Sequence, residues 1–165
     1  MSSELKLTVK IEQIESKVIF HLSGALNETF APFVEQLAKQ IVKMNFLQFN
    51  LGGITLVNSS GTREWTRLIA KSQHVNITLI ECPKVFIDQV NTVDGFLTQN
   101  CAIKSFYVPF FSEVIGKEKN ILFETDKAVN KDGAIAISES IEVDGINYAM
   151  DVIESKYFLF LKKFI

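Results

Sequence analysis

The sequence is poor in the residues that build metal centres and hydrolytic triads. It has two cysteines, Cys82 and Cys101, and two histidines, His21 and His74. Two cysteines do not specify a structural zinc site; they read as reduced thiols serving as small buried hydrophobes. His21 alternates outward from Val18, Phe20 and Leu22, and His74 falls in a turn before a strand. Neither is placed as a general base, and the G-x-S-x-G elbow is absent. Walker and dinucleotide glycine patterns are also missing. No apolar run approaches a membrane span, and the opening Met-Ser-Ser-Glu-Leu-Lys has no apolar signal core. A soluble, cytoplasmic protein without membrane insertion is expected. Neither sign of charge dominates: Lys and Arg total 17, Asp and Glu 19, and the formal net charge is -2. The cations are spread along the chain with no basic, aromatic-studded stripe, which argues against nucleic acid as a partner.

What is present is apolar and aromatic. The 165 residues are 47% hydrophobic and include 14 phenylalanines, which predicts a packed core with some aromatics left to mark a sticky surface. Leu5, Leu7, Val9 and Ile11 alternate with polar residues, as do Val18, Phe20 and Leu22 up to Gly24; the two read as a hairpin around the polar Glu12–Ser16. Asn27 is a candidate cap, with Pro32 tolerated in the first turn of a helix whose apolar face is Phe30, Phe33, Val34, Leu37 and Ile41. Phe46–Leu51 reads as a central strand. Gly52-Gly53 makes a turn, Ile54–Val57 is apolar again, and Asn58-Ser59-Ser60-Gly61 leads into a helix from Ser60 to about Ser72 that carries Trp65, Leu68 and Ile69. Val75, Ile77 and Leu79 form a strand. Cys82-Pro83 opens a helix with Phe86, Val90 and Val93 inside, and Ile103–Phe111 is a last strand, with Pro109 marking an edge. Strands alternating with helices predict a mostly parallel or mixed sheet.

Residues 112–165 read as an extension. Ile121–Phe123 is a short strand. Asp144-Gly145 signals a hairpin between Ile141–Val143 and Ile146–Tyr148. Ile153, Tyr157, Phe160, Leu161 and Phe164 stripe a closing helix. Aromatics on several sides of that helix require cover, from the first domain or from a second copy; the first domain is expected, because a short terminal helix needs tertiary packing to exist. The ribbon is similar in shape to a zinc ribbon but has no cysteine after Cys101, so no zinc is expected.

The run Leu47–Gly61 resembles the signature of the STAS family of sulphate transporters and anti-sigma-factor antagonists: an apolar strand, a short turn, an apolar step, then Asp-Ser-Ser-Gly opening a helix. It departs at Asn58, where the family has an acidic residue, and at Arg63, where a glycine is usual. The resemblance spans roughly residues 5–111, about two thirds of the chain. It implies a STAS-like α/β domain over residues 1–111, a mixed sheet with helices mainly on one side, followed by the β-ribbon and helix of residues 112–165. It also implies a non-enzymatic regulatory module that needs no cofactor. In the bacterial antagonists the second serine is phosphorylated by a partner kinase, which switches the protein bound. By position that serine is Ser60, with Ser59 the second candidate, and the partner is a regulatory protein such as an anti-sigma-like kinase. The binding surface would comprise Asn58, Ser59, Ser60, Gly61, Thr62, Arg63 and Arg67.

Two readings of the same helix end compete with this one. The amides of Ser59, Ser60 and Gly61 could hold a nucleotide phosphate or small anion, beside Arg63, Arg67 and Lys71, which run down one helix face at spacing four. The simpler reading of that row, and the one preferred, is a solvated helix face.

Overall fold

The computed structural model describes residues 6–165; Leu5, assigned above to the first strand, lies outside them. A five-stranded sheet has the order β1-β2-β3-β4-β5, formed by Thr8–Ile14, Lys17–Leu26, Phe46–Val57, Asn76–Ile80 and Cys101–Ile103. β1 and β2 are antiparallel, and every later neighbour is parallel. The hairpin turns at Glu15-Ser16, with Glu15 in the left-handed region at φ 52°, so β1 runs further than the alternation suggested. β2 likewise continues through Gly24 to Leu26.

Three helices cover one face of this sheet: α1 (Ala31–Ile41), α2 (Ser59–Lys71) and α3 (Lys84–Thr92). The alternation of the strands explains why. Phe20 and Leu22 on β2, Leu47, Phe49 and Leu51 on β3, and Ile77 and Leu79 on β4 are all buried, whereas Gln48, Asn50 and Thr78, which point the other way, are partly exposed. The mixed sheet with helices on one side, expected of a STAS-like domain, is therefore present. Trp65 of α2 is the centre of the layer between. Its ring lies 5.3 Å from Phe49, 5.1 Å from Phe86 and 5.9 Å from Phe96 between centroids, and its indole N–H donates to Phe96 O at 3.0 Å. A buried tryptophan of this kind combines large apolar burial with a satisfied polar handle.

Gly52-Gly53 is not a turn. β3 continues through both residues, with a shift in its register against β2 between Asn50 and Gly53. A Cβ on Gly53 would meet Ser23 Oγ at 2.2 Å, and one on Gly52 would meet Glu81 Oε2 at 2.5 Å. Gly53 is pressed by Ser23 down to its α-carbon at 3.0 Å, whereas at Gly52 the nearest atom is the movable end of the Glu81 side chain; close approach and irregular register are the other uses of glycine within a sheet.

The strand expected over Ile103–Phe111 is two strands in two sheets. β5 ends at Ile103, and β6 (Ser105–Ser112) joins a second sheet of order β7-β6-β9-β8. There β7 is Lys117–Glu124, β8 Ser140–Val143 and β9 Ile146–Met150, all pairings being antiparallel. A one-turn helix, α4 (Thr125–Ala128), follows β7. The β8–β9 hairpin turns on Asp144 and Gly145 at φ 52° and 75°, the primed geometry that matches strand twist. The ribbon of the extension is thus a four-stranded sheet that takes in β6. Among the described residues no group of three or more His, Cys, Asp or Glu side chains is arranged to hold a metal.

The closing helix is shorter than its stripe suggested: α5 (Glu154–Tyr157) is one turn, continued by a 3-10 turn, Phe158–Lys162. Tyr157, Phe160 and Leu161 of the stripe are nonetheless buried, whereas Ile153 is left 62% exposed. Phe160 packs on Phe106 at 4.9 Å between ring centroids, Tyr157 O–H donates to Tyr107 O at 2.5 Å, and Asn91 Nδ2 of α3 donates to Tyr157 O at 2.8 Å. Phe164 O accepts from Ile103 N at 2.7 Å, which closes the β5 edge of the first sheet. No helix among the described residues is long and apolar enough to cross a membrane.

Candidate functional site

The Asn58–Gly61 run sits where β3 gives way to α2. Asn58 has extended backbone (φ -102°, ψ 178°), and its side-chain Oδ1 accepts from Gly61 N at 2.9 Å. This is an asparagine N-cap, which satisfies one of the amides a helix start leaves open. The helix therefore begins at Ser59, one residue before the position expected. The other end of the Asn58 carboxamide matters as well: Nδ2 donates to Glu28 Oε2 at 3.4 Å. An aspartate could cap the helix but could not make this second bond. Asparagine here is a linker between the helix start and the segment that follows β2.

The same segment grips the loop through the backbone. Asn58 N donates to Leu26 O at 3.1 Å. A Cβ on Gly61 would lie 1.9 Å from Leu26 O and 2.2 Å from its carbonyl carbon. Gly61 is thus set by contact with a neighbouring backbone, which has no flexible end to yield. The first turn of α2 is pressed onto the end of β2, and Trp65 holds the second turn in the core.

Ser59 is exposed and Ser60 partly exposed. The hydrogen bonds that fix the loop run through Asn58 and Thr62 rather than through the serine hydroxyls. Thr62 Oγ1 donates to Gln89 Oε1 at 3.2 Å and so ties α2 to α3. Both serines are accordingly presented on a rigid turn without being consumed in building it.

The basic residues of α2 divide into two kinds. Arg63 is solvent-facing, its side chain 74% exposed, with Nε 3.5 Å from Glu64 Oε1. Arg67 is structural: one Nη2 lies 2.7 Å from Glu35 Oε1 on α1 and 3.0 Å from Glu64 Oε2. Glu64 is buried, at 6% exposure, so its carboxylate depends on these cations. Lys71 reaches the same Glu35 at 3.9 Å. The row at spacing four is therefore neither a bare cationic track nor a purely solvated face. Its middle member clamps α1 to α2. Glu28, Glu35 and Gln89 were not legible as members of this site, because their links to it cross between elements. The Glu64–Arg67 pair had a readable signal in its i,i+3 spacing.

Neither histidine approaches the serines. His21 Nε2 is 2.7 Å from Glu12 Oε2 across the β1–β2 hairpin. His74 lies beyond the far end of α2, near Ile41 O at 3.3 Å, about 20 Å along the helix axis from Ser60 at 1.5 Å per residue. The two thiols are buried. Burial pushes both above the usual thiol range, Cys82 the further; at Cys101 hydrogen bonds from Thr98 oppose the rise. Buried neutral thiols are inert. Clefts of the surface lie away from the helix end. One of about 540 Å³ is lined by Lys84, Asp88, Asn91 and Tyr157 among others. Another, of about 940 Å³, lies over Phe158, Leu159 and Leu161.

No family model matches the chain, and no curated protein matches it. Among solved structures, an anti-sigma factor antagonist from Mycobacterium paratuberculosis is similar over 50% of this chain and 73% of that one, with 18% identity and a TM-score of 0.39.

Proposed function

We propose that this chain is a non-enzymatic regulatory module that binds another protein through the surface from Asn58 to Arg67, with Ser60 as its switch. The observation that carries the proposal is the position of Ser60. It lies in the first turn of a helix capped by Asn58 and pressed against Leu26 O, partly exposed, with a hydroxyl that bonds to nothing among the described residues. Phosphorylation there would add about two negative charges next to free helix-start amides, so the phosphate would be accommodated while the surface becomes more negative. Arg63 is exposed one turn on and is the cation placed to pair with that phosphate or with an acidic partner. The resemblance of Leu47–Gly61 to the STAS signature supports a regulatory protein as partner, with an anti-sigma-like kinase as the modifying enzyme.

The competing anion-binding function would work with fewer groups than the sequence suggested. The Gly61 amide already bonds to Asn58, which leaves Ser59 and Ser60 to form any cradle. Protein binding is the reading we favour.

The test is a comparison of immobilised wild type, Ser60→Ala, Ser60→Asp and Arg63→Glu exposed to extract of the native cells. Under the proposal, one protein is retained by wild type and Ser60→Ala and lost from Ser60→Asp and Arg63→Glu. Equal retention by Ser60→Ala and Ser60→Asp overturns the switch. A thermal shift with nucleotide, absent in Arg63→Glu, would instead favour the anion site.

A further inference from the structure

The two edges of the first sheet are treated differently. β5 is three residues long, and its edge is bonded by Phe164 O through Ile103 N. β1 is seven residues long, pairs with β2 at every position without a bulge, and is exposed at six of its seven residues. Among the described residues nothing pairs with its outer side. Natural sheets usually guard such an edge with proline, a bulge, short length or unmatched charge. β1 reads Thr-Val-Lys-Ile-Glu-Gln-Ile and has no proline. Its charges are one of each sign, on either side of Ile11.

That arrangement is self-complementary. If two β1 strands pair antiparallel about a two-fold axis at Ile11, Lys10 stands opposite Glu12 of the second copy, and Glu12 opposite its Lys10. Val9 then faces Gln13, Thr8 faces Ile14, and Ile11 faces its own copy. Ile11 and Ile14 are 55% and 50% exposed, so the same register covers both. Within β1, this is the one centre that sets both charges against opposite charges. Lys10 and Glu12 share a sheet face, because side chains alternate with period two. Glu12 already holds His21 through Oε2 at 2.7 Å, and its other oxygen is left for an incoming ammonium. Directly opposed pairs of this sort set strand register.

We infer that a second copy of this chain docks on the outer edge of β1, giving a two-fold dimer with one continuous ten-stranded sheet in the register Lys10 to Glu12. A symmetric dimer requires a self-complementary patch, and charge complementarity about Ile11 identifies the occupant. The inference does not depend on the Ser60 surface, since the Asn58–Gly61 loop contributes nothing to this edge.

Sedimentation of the full chain tests it, across a roughly hundredfold concentration range because association follows mass action. Wild type is expected to dimerise. Lys10→Glu and Glu12→Lys each oppose like charges twice per dimer and should raise the dissociation constant about tenfold or more. An equimolar mixture of the two restores both pairs and should form heterodimers; the double variant K10E/E12K should dimerise as wild type does. Circular dichroism checks that each variant folds. Lys10→Glu is the cleaner arm, since it leaves the Glu12–His21 contact alone. A wild type that stays monomeric, single variants that dimerise as well as wild type, or a mixture that fails to recover association would each overturn the inference.

Discussion

The carbonyl oxygen of Leu26 lies so close to the α-carbon of Gly61 that a Cβ there would sit 1.9 Å from it. This contact joins the end of β2 to the start of α2 and gives the serine turn its rigidity. Gly61→Ala should destabilise the protein by about 3 kcal/mol, at the upper end of the usual overpacking range, because both colliding groups are backbone. Urea unfolding would show it as a lowered midpoint with unchanged slope.

Asn58 makes two bonds, and they are separable. Asn58→Ala removes the cap and should cost about 1 kcal/mol. Asn58→Asp keeps the cap to Gly61 N but replaces the donor to Glu28 with a second carboxylate. It should fall below wild type even though an acidic cap is ordinarily favourable. Adding Glu28→Gln should recover the loss. Full stability of Asn58→Asp alone would show that the Glu28 link is idle.

Arg67 and Arg63 should behave differently. Arg67→Ala leaves the buried Glu64 carboxylate with only Arg63 near it and should cost about 2 kcal/mol, less than a fully isolated buried charge. Arg63→Ala removes an exposed side chain and should change stability by no more than about 0.5 kcal/mol. A binding defect in Arg63→Ala is therefore a statement about the surface, whereas one in Arg67→Ala is confounded by the clamp between α1 and α2.

These assignments mark where the sequence was legible. Period-two and helical spacing located β2 to β4 and α1 to α3, because each buries one face against the same layer; β1, also read from its alternation, is exposed at six of its seven residues and buries neither face. That a helix starts within Asn58–Gly61 was readable from the polar run before Trp65 and Leu68, but not that Asn58 rather than a serine caps it. The break between β5 and β6 was not readable. Ile103 and Phe106 are both buried, and only the hydrogen-bond partners on either side of Lys104 separate the sheets. Gly52-Gly53 carried the composition of a turn, but the pressure on it comes from Ser23 in β2 and from Glu81 just past the end of β4. The bonds of Arg67 to Glu35, and of Asn58 to Glu28, span about thirty residues and leave no local pattern.

Alkaline pH should unfold the protein early. Burial raises Cys82 above the thiol range, and Tyr157 is raised first by burial and then by Asp88 and Cys82. Both groups are neutral in the folded state and have higher pKa values there than when unfolded. Their contribution is complete below the unfolded values, about 8.5 and 10, and is lost as pH climbs from those values toward the folded ones. Stability measured by urea should decline from about pH 9 upward, with a shallower decline in Tyr157→Phe. A flat profile to pH 11 would contradict the burial of these groups.

The proposed switch at Ser60 is open to mass spectrometry of the protein isolated from its own cells across growth and stress conditions. Trypsin cuts after Lys43 and Arg63, so a single peptide carries Ser59 and Ser60 together. If Ser60 is the switch, it carries phosphate whose occupancy changes with conditions. Ser60 unmodified under every condition would contradict it.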